Sequence, residues 1–225
     1  MRSRLGKVSR KEGSMITIYG LNAFMPQLKG IIRDIRPVWT LEELGLPYQR
    51  NVMNAQNGEH KTPAYLAIHP FGKVPAMTDG DFALFESAAI CTYLGDKQNK
   101  LIPAAGTLDR AVYDQWVLFA ASTLDPVAAR VLGIDFFIEK KDATLIQYRN
   151  DALESLTGMI AALDKELGKR PYILGEAFSI ADILLSSSLR IVNHTEVTAK
   201  FPNVQAYLNK NFARPAFVKA LENNG

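Results

Sequence analysis

The sequence is poor in residues that build disulfides and metal sites. It holds one cysteine, Cys91, and three widely separated histidines, His60, His69 and His194. One cysteine allows no internal disulfide, and the absence of a CxxC pair excludes dithiol redox chemistry within the chain, which fits a reducing cytoplasm. None of the histidines stands at a metal-ligand spacing, so no metal site is expected.

Long apolar runs are also missing. The 225 residues are 48% hydrophobic and 22% charged, as in ordinary globular proteins, and no uninterrupted run of about 18 apolar residues occurs. We therefore expect no membrane-spanning helix. At roughly 100–200 residues per domain, the length predicts one or two domains.

The small positive charge belongs to one end of the chain. The formal net charge is +3, but residues 1–14 alone carry +4, so the remaining residues carry −1. We expect this basic segment to be a flexible tail, with a nucleic-acid role as the less favoured alternative, and it lacks the apolar stretch of a secretory signal. The rest of the chain has no excess of cations that would indicate a nucleic-acid partner.

The first hundred residues alternate between strand and helix signals. Residues 15–20 and 47–53 predict two strands, with a helix after each. Residues 73–85 predict a hairpin, because Asp79–Gly80 supplies the positive φ that a tight turn needs. A helix over 86–97 follows. This order is typical of a thioredoxin-like α/β domain, which we assign to residues 15–96.

The second half of the chain predicts helices only. Residues 97–107 contain Pro103 and Gly106 and predict a linker, followed by an all-helical domain over 108–225. The clearest helix spans 178–192, where Ser179 and Asp182 predict a capping box. The predicted fold class is therefore α/β plus all-α.

Several segments, taken in order, resemble the cytosolic glutathione transferase superfamily. The resemblance covers residues 15 to about 220 and depends most on one combined pattern around a Val-Pro pair and a Glu-Ser pair. The segments are ITIYG, WTLEELGLPYQ, HPFGKVPAMTDGDFALFESAAICTYL, FSIADI and FPNVQAYLNKNFARPAF.

The resemblance implies a glutathione site at these two pairs. The Val74–Pro75 bond is expected to be cis, leaving the Val74 backbone to pair with the cysteinyl unit as an added strand. Ser87, at the start of a helix, would hold the γ-glutamyl carboxylate, and Glu86 would accept from the γ-glutamyl amine. Lys73 would reach the cysteinyl or glycyl end. Without the resemblance, Ser87 and Glu86 would be interpreted as a helix cap and a first-turn acid.

The junction between the first strand and the first helix departs from the family pattern. Family members carry a Tyr, Ser or Cys near this junction that contacts the glutathione sulfur, but residues 19–39 contain no serine, threonine or cysteine. Either the helix begins near Pro26 and is kinked at Pro37, at about 3 kcal/mol, or residues 21–33 are an inserted loop and the helix begins near Asp34. Pro37 favours the second interpretation.

Four groups remain as candidate donors to the glutathione sulfur. Tyr19, the leading candidate, ends the first strand, where tyrosine-type members of the family carry theirs, but it is also typical of a core tyrosine. Asn22 could donate an amide N–H, and Arg33 could place a cation beside the sulfur or be a solvated surface residue. A backbone N–H needs no side chain. Cys91 is interpreted as a small buried residue rather than a nucleophile.

The resemblance implies a glutathione transferase that conjugates the glutathione thiolate to a small hydrophobic electrophile. Glutathione is then a co-substrate, no metal is needed, and a cytoplasmic homodimer without nucleic-acid or membrane partners is expected. The region of the second substrate is expected in the helical domain, where Tyr113, Trp116, Phe119 and Phe136 or Phe137 are candidates. The alternative is a non-catalytic binding module of the same fold, which the missing serine favours and the Lys-Val-Pro and Glu-Ser motifs oppose.

Overall fold

The computed structural model describes residues 15–23 and 25–223. The chain divides into two compact units, which within that range are residues 15–94 with 220–223, and Gly95–Lys219. The predicted tail of residues 1–14 lies outside the described residues. The unit boundary falls two residues before the predicted one, because the last turn of a helix belongs to the second unit.

The first unit contains a four-stranded mixed sheet in the order β2-β1-β3-β4. Strand β1 is parallel to β2 and antiparallel to β3, and β3 and β4 form the predicted hairpin, in which Gly80 has φ 61°. The strands are β1 Ile16–Leu21, β2 Tyr48–Met53, β3 Ala76–Asp79 and β4 Phe82–Phe85.

In the described part of the first unit, three helices accompany the sheet: α1 Ile35–Leu44, α2 Pro63–Leu66 and α3 Ser87–Gln98. Helix α1 begins directly after Asp34, with Pro37 in its first turn, where a missing N–H costs no helical hydrogen bond. The interpretation in which the helix begins near Asp34 is therefore confirmed, and the described residues 22–23 and 25–33 form a loop between β1 and α1. That segment holds a short 3₁₀ turn, Pro26–Leu28, with Leu28 buried.

Six helices lie wholly or largely in the second unit, all of whose residues the structure describes. Helices α4 and α5 are joined by a π-helical turn, Phe119–Leu124, and α7 is buried at every position from Ile180 to Leu189. The helices are α4 Leu108–Leu118, α5 Asp125–Phe137, α6 Ala143–Leu167, α7 Ile180–Arg190, α8 Pro202–Phe212 and α9 Pro215–Glu222. Since α7 supplies side chains in every direction, it is the central helix of this core.

The predicted capping box precedes α7. The N–H and hydroxyl of Ser179 both donate to Asp182 Oδ2 at 2.8 Å, and Asp182 Oδ1 accepts from Ile173 N–H and Tyr207 O–H at 2.8 Å each. The carboxylate thus fixes the helix start, the preceding segment and α8 to one buried point.

One helical stretch passes a simple length-and-composition test for a membrane span. Residues Leu108–Phe137 form 30 continuous helical residues with a mean hydropathy of 1.5 over the most apolar window. The expectation of no membrane-spanning helix counted only uninterrupted apolar runs, and polar and charged residues interrupt this stretch; that expectation stays a prediction. A core helix of a soluble protein passes the same test, so this observation is weak evidence for a membrane.

Candidate functional site

The strand register gathers the predicted site residues at one edge of the sheet. Ala76, the first residue of β3, pairs with Tyr19 on one side and with Phe85 on the other. The Val74–Pro75 turn that enters β3 therefore lies beside Glu86–Ser87, which leaves β4. The end of β1 lies at the same edge.

The serine at the start of α3 is hydrogen-bonded to an arginine of α1. Ser87 is only 6% exposed, and its Oγ accepts a hydrogen bond of 3.2 Å from Nη1 of Arg36 in the first turn of α1. Glu86, just before the helix, has φ 74°, a left-handed conformation that non-glycine residues rarely adopt. Such strain is common where a ligand requires a particular backbone direction.

The turn before β3 contains the predicted cis bond between Val74 and Pro75. The carbonyl of Lys73, one residue earlier, accepts a hydrogen bond from the Tyr65 hydroxyl. Burial raises the pKa of Tyr65, so this phenol remains a donor at any physiological pH. The turn is thereby tied to α2.

Three charged side chains act electrostatically on a buried histidine next to this turn. His69 is stacked on Phe85 with ring centroids 4.6 Å apart, and its pKa is lowered chiefly by burial. Lys61 and Lys73 lower it further and Glu86 opposes them, so all three lie within electrostatic reach of the imidazole. Sequence reasoning missed Lys61; its only signal was its place just before the Pro63 helix start.

Tyr19 occupies an apolar cluster rather than an open position. Its ring lies 5.8 Å from that of Tyr65 and packs against the buried group of Met53, Tyr65 and Ala76. Because side chains alternate along a strand, Tyr19 faces away from Ile18, which is completely buried on the other side of β1. Its role as a hydrogen-bond donor to the glutathione sulfur stays a prediction.

The other two donor candidates differ in their surroundings. Asn22 follows β1, and its N–H donates to the Met53 carbonyl at 3.1 Å, which extends the β1–β2 pairing by one residue. Its Oδ1 is buried without a hydrogen-bond partner among the described residues. Arg33 is exposed at the end of the inserted loop. Both roles stay predictions.

A buried ion pair lies under the same junction. Asp34 is completely buried and accepts a hydrogen bond from the guanidinium of Arg50 on β2. Burial raises the pKa of Asp34 from 3.8 to about 6, and Arg50 only partly offsets this. Asp34 was expected only as a helix start. Its burial could not be predicted, because the partner comes from the neighbouring strand.

Cys91 is completely buried on α3. Burial raises the pKa of its thiol to about 12, against the smaller opposing effects of Thr40 and Arg36. The thiolate is therefore negligible at neutral pH, in agreement with its interpretation as a small core residue.

Comparison with known proteins identifies the family of this arrangement. The chain matches the glutathione S-transferase N-terminal domain over residues 35–97 and the C-terminal domain over residues 129–215. A glutathione S-transferase from Hyoscyamus muticus is 31% identical over 201 residues, covering 84% of this chain and 92% of that protein.

The chain belongs to the glutathione S-transferase family. The predicted resemblance and fold class, a thioredoxin-like domain followed by an all-helical domain, are thereby confirmed. The homologues support a glutathione-dependent transferase.

Solved structures of this family agree. A glutathione transferase family member from Pseudomonas fluorescens, with two glutathione bound, superimposes with a TM-score of 0.82 at 30% identity, covering 93% of both chains. A transferase from Burkholderia graminis, with two glutathione molecules bound per subunit, gives a TM-score of 0.80 at 31% identity, covering 93% of this chain and 88% of that one.

The residues predicted to line the second-substrate region differ in their exposure. Tyr113 is completely buried and cannot contact a bound molecule, whereas Phe137 is half exposed. Trp116 and Phe119 form an edge-on pair with centroids 5.7 Å apart. Among the described residues, no group of three or more His, Cys, Asp or Glu side chains converges at a metal-binding geometry.

Proposed function

We propose that this protein binds glutathione on its first unit and transfers the thiolate to a small hydrophobic electrophile. The observation that carries the proposal is the convergence of Val74–Pro75 and Glu86–Ser87 at one sheet edge, fixed by the pairing of Ala76 with Phe85. An extended tripeptide needs a backbone edge, an anion site and countercharges, and this edge offers all three.

Each part of glutathione has a partner in this proposal. The cysteinyl unit pairs with the Val74 backbone as an added strand. The γ-glutamyl carboxylate lies at Ser87, where the first N–H groups of α3 point outward, and the amine lies at Glu86. The glycyl carboxylate is attracted by Lys73 and Lys61, which both act electrostatically on His69.

The chemistry requires that the bound thiol be ionised. A free thiol has a pKa of about 8.5, and lowering it by about two units requires roughly 2.7 kcal/mol of selective anion stabilisation. One hydrogen bond to a charged group supplies about 1.5–3 kcal/mol. One well-placed donor is therefore nearly sufficient, and it need not be a hydroxyl.

Asn22 is the donor we propose. It follows β1 at the site edge, and its side-chain amide carries an N–H donor, while the Oδ1 of the same amide is buried without a hydrogen-bond partner among the described residues. Tyr19 is less suited, because its ring packs in the apolar cluster around Tyr65. The thiolate then attacks the electrophilic carbon and forms a carbon–sulfur bond, while a leaving group such as chloride departs with its electron pair.

Titration calorimetry with glutathione and turnover of 1-chloro-2,4-dinitrobenzene test the proposal. We expect binding and chloride release in the wild-type protein. In Asn22→Ala the thiol pKa of bound glutathione, followed by ultraviolet thiolate absorbance, should rise by about one to two units. Tyr19→Phe is the control and should leave that pKa unchanged. If Tyr19→Phe raises that pKa and Asn22→Ala leaves it unchanged, the role belongs to Tyr19. The absence of glutathione binding at millimolar concentration would refute the proposal.

A second candidate is disulfide reduction by two glutathione molecules. The two similar bacterial structures hold two glutathione molecules. One bound thiolate would attack a disulfide, and a second glutathione would displace the mixed disulfide, releasing glutathione disulfide and two thiols. Glutathione disulfide formed at a higher rate than conjugate would favour this reaction. Glutathione binding without either reaction would indicate the non-catalytic binding module.

The proposal extends to a homodimer in the cytoplasm that takes part in detoxification of electrophiles. Phe71, in the turn before Lys73, is 68% exposed and lies edge-on to Phe85 at 6.0 Å. A large exposed aromatic side chain on a fixed turn is suited to become buried in an interface with a second copy of the chain. Light scattering should give twice the chain mass for the wild type and a lower mass for Phe71→Ser; a monomeric wild type would exclude the dimer.

A further inference from the structure

We infer that Arg36 is a positioning residue of the glutathione site: it orients the Ser87 hydroxyl and supplies the buried positive charge that selects the γ-glutamyl carboxylate. The inference rests on the proposed function. Arg36 is only 2% exposed, and its Nη1 lies 3.2 Å from Ser87 Oγ. Because Arg36 is buried, it acts on a ligand through Ser87 and not by direct contact with that ligand.

The direction of the hydrogen bond decides what Ser87 can do. A hydroxyl has one proton to donate, and an arginine guanidinium can only donate. Since Ser87 Oγ accepts from Arg36, the hydroxyl proton of Ser87 is directed elsewhere and is available to a ligand acceptor. Because a guanidinium has no acceptor atom, the direction of this hydrogen bond cannot reverse.

The positive charge of Arg36 has an effect in addition to orienting the Ser87 hydroxyl. A charged donor polarises the hydroxyl it contacts and strengthens the bond that this hydroxyl donates in turn. Arg36 and Ser87 lie in the first turns of α1 and α3, and helix N-termini carry positive partial charge. A cation buried at two such ends is poorly placed for helix stability, but it is well placed to attract a carboxylate.

The positive charge of Arg36 also acts on α3 beyond Ser87. Arg36 counteracts, in a minor way, the large rise that burial causes in the pKa of Cys91, four residues further along α3. Its positive potential therefore covers the first turn of α3. The backbone of Arg36 is fixed as well, since its carbonyl accepts a hydrogen bond of 2.9 Å from the Thr40 hydroxyl.

Two ligands separate this role from a general structural one. Glutathione carries the γ-glutamyl α-carboxylate, and 4-aminobutanoyl-cysteinylglycine is the same molecule without it. We expect Arg36→Met to weaken glutathione binding by about tenfold or more, as for loss of a bond to a charged group, and to change binding of the analogue by less than about twofold. The KM for glutathione should rise while kcat at saturating glutathione stays near the wild-type value.

A double-mutant cycle tests the connection to Ser87. Ser87→Ala alone should reproduce much of the loss, and Ser87→Ala in the Arg36→Met background should add little, because the two residues act as one unit. If Arg36→Met does not fold, Arg36→Lys replaces it. The lysine lacks the rigid planar fork of arginine, so the preference for glutathione over the analogue must fall.

The outcomes that overturn the inference differ from those that overturn the function. Equal losses for both ligands, additive effects in the cycle, or an unchanged preference in Arg36→Lys refute the role of Arg36 while glutathione binding stands. A wild-type protein that binds neither ligand refutes the proposed function itself.

Discussion

Asp34 and Arg50 form an ion pair in the space that the missing side chain of Gly20 leaves open. An ideal Cβ on Gly20 would lie 2.8 Å from the Arg50 guanidinium and closer still to the Asp34 carboxylate. Strand β1, strand β2 and the start of α1 thus meet around one buried pair of charges.

Replacing Gly20 with alanine should be strongly destabilising. The new methyl group displaces the carboxylate or the guanidinium, and overpacking of this kind costs about 1–3 kcal/mol or more. Urea unfolding measures the change. Gly158→Ala is the matched control, because its Cβ meets nothing within 4 Å in the middle of α6, and it should raise stability by about 0.5–1 kcal/mol. Equal effects of the two substitutions would contradict the packing described for Gly20.

The buried Asp34 should make stability fall as pH rises through about 6. Its folded-state pKa of about 6 lies above the ordinary 3.8, so the folded protein binds this proton more tightly. The contribution is fully present below about pH 4 and is lost by about pH 7, with a magnitude of about 3 kcal/mol.

Asp34→Asn should remove this slope. Unfolding free energies of the wild type and the variant at pH 4.5 and 7 give the comparison. Asp114→Asn, on an exposed carboxylate that pairs with Arg110, is the control and should retain the wild-type slope. Parallel pH profiles for the wild type and Asp34→Asn would contradict the assignment.

Asp182→Ala should be among the most damaging single substitutions in the helical unit. The carboxylate accepts four hydrogen bonds of 2.8 Å, from Ile173, Tyr207 and twice from Ser179, and each buried donor left unpaired costs about 1–3 kcal/mol. Asp142→Ala removes an exposed cap of α6 and should cost only about 1 kcal/mol. A similar loss for both, measured by urea unfolding, would show that burial of the network contributes nothing.

Cys91 should resist alkylation in the folded protein. Burial raises its pKa to about 12, so neither access nor thiolate is available at pH 8. Mass spectrometry after iodoacetamide treatment should show an unmodified native chain and a single modification in urea. Rapid labelling without denaturant would contradict this, and Cys91→Ala should retain glutathione binding.

Local signals predicted much of the fold. Asp79–Gly80 identified the hairpin, and Ser179 with Asp182 identified the start of α7, because turns and caps depend on neighbouring residues. Pro37 also decided correctly between loop and kinked helix, since proline is tolerated only in the first turn.

The parts of the site that sequence reasoning missed depend on distant partners. Arg36 stands in an apolar run, Ile-Arg-Pro-Val-Trp, where an arginine is unexpected, but its contact with Ser87 spans 51 positions. Lys61 approaches the turn before β3 only through the fold, with its Nζ 3.3 Å from the Phe71 carbonyl. No periodicity in the sequence indicates either contact.

The return of residues 220–223 to the first unit has a practical consequence. The Asn223 carbonyl accepts from Arg50, and its side-chain amide contacts Glu42 and Tyr48 at 3.2 and 3.1 Å. A fragment that stops at residue 94 removes the hydrogen bonds that Asn223 makes to these groups on β2 and α1. Fusions are therefore better joined through a spacer after Asn223 than directly to α9, and the first unit is best studied within the whole chain.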